Sequence, residues 1–147
     1  MNLPNRWRAA SGLIPLLACT LGCGAPSEDF SDGFPRESLA SATTEDDALR
    51  IEVRTSPSQP PERGNARAEL RIPDAVSGAP RDDLSLAVTP WMPAMGHGAS
   101  VRPTVVARGE GIYELSNVSF FMSGRWELRL QVNDDASRTA VVSLDVL

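Results

Sequence analysis

Lysine is absent from the 147 residues, and histidine and tyrosine occur once each, as His97 and Tyr113. A chain so poor in groups that exchange protons or attack carbonyls near neutral pH is a weak candidate for catalysis. Ser-His-Asp chemistry could recruit only His97, and no Gly-x-Ser-x-Gly elbow is present. No Gly-rich phosphate loop occurs either, so we expect a protein that is not an enzyme. Cysteine is confined to Cys19 and Cys23, which excludes a disulfide framework across the rest of the chain. Asp82-Asp83 and Asp134-Asp135 are adjacent rather than spaced like a calcium loop. From Cys23 onward, 12 Arg face 19 acids, a net charge of −7, and nucleic acid is excluded as a partner by the missing basic surface.

What the first residues do contain is a division of character. Arg6 and Arg8 precede an uncharged stretch from Ala9 to Cys23, and acids begin at Glu28. A charged start followed by a short apolar run reads as an export signal, too short for a membrane span. Gly22-Cys23, followed by Gly24-Ala25-Pro26-Ser27, resembles the lipobox of bacterial lipoproteins. There a small residue precedes the Cys that is lipid-modified and becomes N-terminal. Leu16-Leu17-Ala18-Cys19 is a rival site, although Pro15 shortens its apolar run. We assign residues 1–22 as a lipoprotein signal peptide and Cys23 as the lipidated residue. The chain is then anchored to a membrane on the periplasmic side of a bacterial envelope rather than spanning it. Gly24, in place of Asp after the Cys, favours the outer membrane.

Residues 23–47 carry seven acids against Arg36, with Ser, Gly and Pro between them and no apolar period. Such a segment cannot bury enough surface to offset its ordering entropy, and an acidic disordered tether is expected. From Ala48 the pattern changes to period two. Leu49, Ile51 and Val53 alternate with Arg50, Glu52 and Arg54, and Ala66, Ala68, Leu70 and Ile72 with Arg67, Glu69 and Arg71. Leu84, Leu86 and Val88 continue the series. Strict alternation marks strands with one buried and one wet face. Turn chemistry fills the intervals, as in Gly109-Glu110-Gly111 and Asn133 to Ser137. Residues 48–147 should therefore form an all-β domain, an immunoglobulin-like antiparallel β-sandwich of about seven strands. Phe120, Met122, Gly124, Trp126, Leu128, Leu130 and Val132 share one face of the longest pattern. It is long for a single strand, and Gly124 is where a bulge or a switch between sheets costs least. Trp126 is the expected core anchor.

One segment suits neither strand nor simple turn: Thr89-Pro90-Trp91-Met92-Pro93-Ala94-Met95-Gly96-His97-Gly98. With Met122, it holds every thioether and every imidazole that remains once the signal is removed. Thioether and imidazole donors suit Cu(I), whereas one His without Cys cannot fill a tetrahedral zinc site unless carboxylates join it. Met92, Met95, His97 and Met122 are thus the candidate ligands of copper(I). Met95 and His97, two apart, would share one side of an extended loop. The same residues allow a structural reading, with Met122 as an inward core filler, Met92 and Met95 plugging the sandwich under Trp91, and His97 simply exposed. A further alternative is a protein-interaction module of the envelope that docks a partner through Trp91-Met92-Pro93.

Taken together, Met92-Pro93-Ala94-Met95-Gly96-His97, Gly111-Ile112-Tyr113 and Phe120-Phe121-Met122-Ser123-Gly124-Arg125-Trp126 resemble the YtkA-like domain, related to the FixH-like envelope proteins. The resemblance covers residues 84–133, and more loosely everything from Ala48. It implies a small exported β-sandwich and an association with metal handling, copper in particular, without an established activity. FixH-like members carry a transmembrane helix, which this chain replaces with its lipobox-like segment.

Overall fold

The computed structural model describes residues 33–147, and antiparallel strands account for most of them. They are β1 (Ala40–Thr43), β2 (Arg50–Ser56), β3 (Gly64–Arg71), β4 (Ser85–Met92), β5 (His97–Gly98), β6 (Thr104–Gly109), β7 (Ile112–Phe120), β8 (Gly124–Asn133) and β9 (Ser137–Val146). One sheet has the order β1-β2-β3-β7-β6 and the other β5-β4-β8-β9. The sandwich expected from the alternation is present, with nine strands rather than about seven. The two additional strands are short, β1 and β5, and neither has an apolar stripe of its own.

The alternating positions pack as their pattern requires. Ile51, Val53, Leu70, Leu115 and Phe120 from one sheet meet Val88, Trp126, Leu128, Leu130 and Val142 from the other in a single buried core. Trp126 is fully buried and takes the Phe120 ring edge-on, 5.3 Å between centroids. Glu69 departs from the rule. It lies on the outer face of β3 yet is only 1% exposed, paired with Arg54 across β2 at 3.1 Å. One carboxylate oxygen of Glu69 and Nε of Arg54 are buried without a hydrogen-bond partner.

Three expectations change. β1 lies inside the segment assigned as a disordered tether, pairing Ala40 with Val53 and Thr43 with Arg50. Thr44 then caps the turn, its hydroxyl accepting from Leu49 N–H at 3.1 Å and donating to Asp46 at 2.6 Å. Few apolar residues were needed, because β1 gains its order from backbone pairing with an existing edge. The proposed signal, Cys19, Cys23 and the tether up to residue 32 lie outside the described residues. Second, Phe120–Val132 is not one strand. β7 ends at Phe120 in the five-stranded sheet and β8 begins at Gly124 in the other, so the chain changes sheet at the glycine. Gly124 has φ of +126°, a backbone state that a side chain would strain. Third, β4 continues through Pro90 to Met92. The Pro90 carbonyl accepts from Ala99 N–H on the β5 side, so its missing N–H also points away from β8.

The registers define two ends. The β2–β3 loop, the β4–β5 turn, the β7–β8 turn and the last residue of β9 gather at one. The β1–β2, β6–β7 and β8–β9 turns and the 72–84 connection gather at the other. Tyr113 ties that second end: its hydroxyl donates to Arg81 O at 2.7 Å and accepts from Leu84 N–H at 3.2 Å. Asp82 accepts from Gly111 N–H in the same corner. Burial pushes the Tyr113 phenol above its ordinary pKa.

Candidate functional site

Met92 ends β4, and Pro93–Met95 form a single 3-10 turn that closes on Gly96, whose N–H bonds back to Met92 O at 3.1 Å. Pro93 supplies the fixed φ with which such a turn starts. The chain returns at once as β5, with His97 opposite Met92 and Gly98 opposite Trp91. A Cβ on Gly98 would stand 2.7 Å from the Pro90 carbonyl oxygen, so this tight return admits glycine alone. Met95 therefore lies in the 3-10 turn and not beside His97 along an extended loop, because Pro93 and Gly96 curl the segment. The Trp91 side chain leaves on the outer face of β4, where the Arg129 guanidinium lies 4.4 Å from its ring centre.

The second half of the site comes from the β7–β8 turn, Phe121–Ser123. His97 stacks on Phe121 with centroids 5.3 Å apart and planes 12° from parallel. Phe121 meets Trp126 edge-on at 4.8 Å. The Trp126 indole N–H donates to Met122 O at 2.9 Å, so the core tryptophan fixes the turn from beneath. Beside it, the Met92 terminal methyl stands 3.3 Å from where a Gly124 Cβ would be. His97, exposed, has Nδ1 3.2 Å from Gly98 O. With Nδ1 as the protonated nitrogen, the lone pair of Nε2 is left for a ligand.

The four residues singled out for copper thus share one end of the sandwich, drawn from two segments: the β4–β5 hairpin of the four-stranded sheet and the β7–β8 turn. Their exposure differs from expectation. Met122 was expected to face inward as a strand residue; it is 41% exposed, because the sheet switch places it in a turn. Met95 is 49% exposed, whereas Met92 is buried. Met95 and Met122 therefore present thioethers to solvent, His97 stacks from its own segment onto Phe121 of the other, and Met92 packs under the turn. Among the described residues no group of three or more His, Cys, Asp or Glu stands ready for a hard or tetrahedral metal. The donor chemistry of this end is accordingly thioether and imidazole, which fits a soft monovalent ion.

Sequence reasoning overlooked Phe121, which falls on the wet face of the alternating pattern. The only trace of its role was the Phe120-Phe121 doublet, one ring for each side of the chain as it leaves the sheet. No helix among the described residues is long and apolar enough to cross a membrane. No curated protein and no solved structure matches the chain. A family model described as YtkA-like matches residues 44–131, more than half of the chain and all strands from β2 to β7 with most of β8, and the protein belongs to the YtkA-like family.

Proposed function

We propose that this protein is a lipid-anchored domain of the bacterial envelope that binds Cu(I) through Met95, His97 and Met122, with Met92 as an underlying fourth donor. YtkA-like membership supports an envelope-associated domain. The observation that carries the copper reading is the His97–Phe121 stack, which holds against each other the two segments, distant in sequence, that carry the thioethers and the imidazole. Cu(I) accepts low coordination by soft neutral donors, and a site of this composition should prefer it to Zn(II). Since the neutral imidazole is the ligand, protons compete with the metal and affinity falls with pH. The interaction-module reading gains less support, because Met92 of Trp91-Met92-Pro93 is buried and Trp91 is half-covered beneath Arg129.

The test is a Cu(I) competition titration of the full mature chain against its Met95→Ala, His97→Ala and Met122→Ala variants. Stoichiometric binding that weakens in each variant is expected. Equal affinity in all four proteins, or no binding at micromolar metal, overturns the reading. Anchoring is checked separately, by release of the Cys23→Ala protein from the membrane fraction; retention after Cys19 is also replaced would refute it.

A further inference from the structure

Three independent features distinguish the Met/His end from the opposite one. The first is the path by which the chain arrives. Leu39 N–H donates to Val53 O at 2.7 Å, Glu37 O accepts from the Gln59 amide at 2.8 Å, and Phe34 lies 5.2 Å from the Arg67 guanidinium. Gln59 is in the β2–β3 loop, and Arg67 pairs with Ser56 at the end of β2. Residues 33–39 therefore join β1 from the Met/His end. Cys23 lies only ten positions before Gly33. Ten residues of chain span at most about 35 Å. The opposite end lies roughly 30 Å further, the length of ten-residue β8.

The second feature is apolar exposure. Met95, Phe121, Met122 and Leu147 are exposed on or beside this end, and Leu147 is held there by its N–H to Pro61 O, 2.9 Å. The third is charge. Acidic runs Glu45-Asp46-Asp47, Asp82-Asp83 and Asp134-Asp135 occupy the turns of the opposite end and outnumber Arg81 and Arg138, which pair with them, whereas the Met/His end and its flanking loop carry Arg63 and Arg102 against Glu62. The domain is polarised, with its acidic pole away from the incoming tether.

We propose that the Met/His end rests on the anionic surface of the bilayer that holds the lipid, with Met95, Phe121, Met122 and Leu147 at headgroup depth. The inference rests on the lipid-anchor part of the reading above and is independent of copper. So small an apolar patch would not recruit a free protein to lipid. A short tether makes the contact intramolecular, at an effective concentration on the order of millimolar, and weak affinity then suffices. Acidic headgroups attract Arg63 and Arg102 and repel the far pole, which selects one of the two orientations.

The experiment uses the lipidated full chain in vesicles of phosphatidylcholine and phosphatidylglycerol. A fluorophore is attached at Glu62→Cys in one preparation and at Val76→Cys in another, and lipids with nitroxide at the headgroup quench it. Glu62 is exposed in the β2–β3 loop, and Val76 is 94% exposed at the opposite end. Quenching several-fold stronger at Glu62 is expected, and Arg63→Glu with Leu147→Ser should reduce it while vesicle association persists. Equal quenching at both positions, or stronger quenching at Val76, overturns the orientation. Absence of quenching at both, with the protein still bound, also overturns it and leaves this end open to a protein partner. Loss of vesicle association overturns the anchor reading and the orientation with it. An N-terminal peptide mass without diacylglycerol identifies that case.

Discussion

Replacing Tyr113 with Phe removes one oxygen from the corner farthest from the Met/His end, and its cost follows from the bonds that oxygen makes. The hydroxyl donates to Arg81 O and accepts from Leu84 N–H, while the ring stays buried beside Leu115 in either variant. A hydrogen bond between neutral groups is worth about 1 kcal/mol net, but a buried backbone group left without a partner costs roughly 1–3 kcal/mol. The Arg81 carbonyl is near the surface and can turn to water. The Leu84 amide is enclosed and cannot. The expected loss is therefore about 2–3 kcal/mol, dominated by the amide. For a domain of this size it corresponds to a fall in Tm of roughly 6–15 °C. Urea denaturation with an unchanged slope would give the free energy directly. Cu(I) affinity should stay at the parent value, because nothing of the Met/His end is touched. A loss under about 0.5 kcal/mol would refute the claim that the phenol ties β7 to the 81–84 segment.

Phe121→Leu keeps apolar bulk and removes the ring that stacks on His97; an aromatic pair of about 0.5–1.5 kcal/mol implies Cu(I) binding weaker by roughly 2- to 12-fold, read by chelator competition. Arg54→Met leaves Glu69 buried without its partner and should cost about 3–5 kcal/mol in chemical denaturation, while the added change Glu69→Met should recover most of that loss. The Asp134 carboxyl is held down to about 2 by the Ala136 backbone N–H and by Arg81 and Arg138. A depressed carboxylate stabilises the fold above its ordinary pKa of 3.8 and loses that contribution as pH falls from about 4 to 2. Denaturation midpoints of Asp134→Asn should therefore be flatter than those of the parent over that window.

The strands were legible where one face is apolar and the other polar, as in Leu49–Arg54 and Ala66–Ile72, because alternation records burial directly. β1 left no such record, since Ala40–Thr43 is ordered by backbone bonds to β2 and composition does not register them. The Met/His segment stood out through its rare residue types, yet its geometry depended on facts with no local signature. Met122 shares a parity with Trp126, and parity holds only within one sheet. The change of sheet at Gly124 released Met122 to the surface while Trp126 stayed in the core. Glu69 misled in the opposite sense: its parity is outward, but neighbouring strands on both sides and the Arg54 side chain cover it.

That change of sheet also sets an order of events. Met95 and His97 are neighbours along the chain, but Met122 lies 25 residues beyond His97. In an unfolded chain the pair and the third thioether are strangers, and only the pair could hold a soft ion. The full set exists once β4 has paired with β8 and Trp126 has seized the Met122 carbonyl from below. A soft ion bound through the whole set would consequently find its site only in the finished fold, where it would tie the β4–β5 turn to the turn that leads into β8.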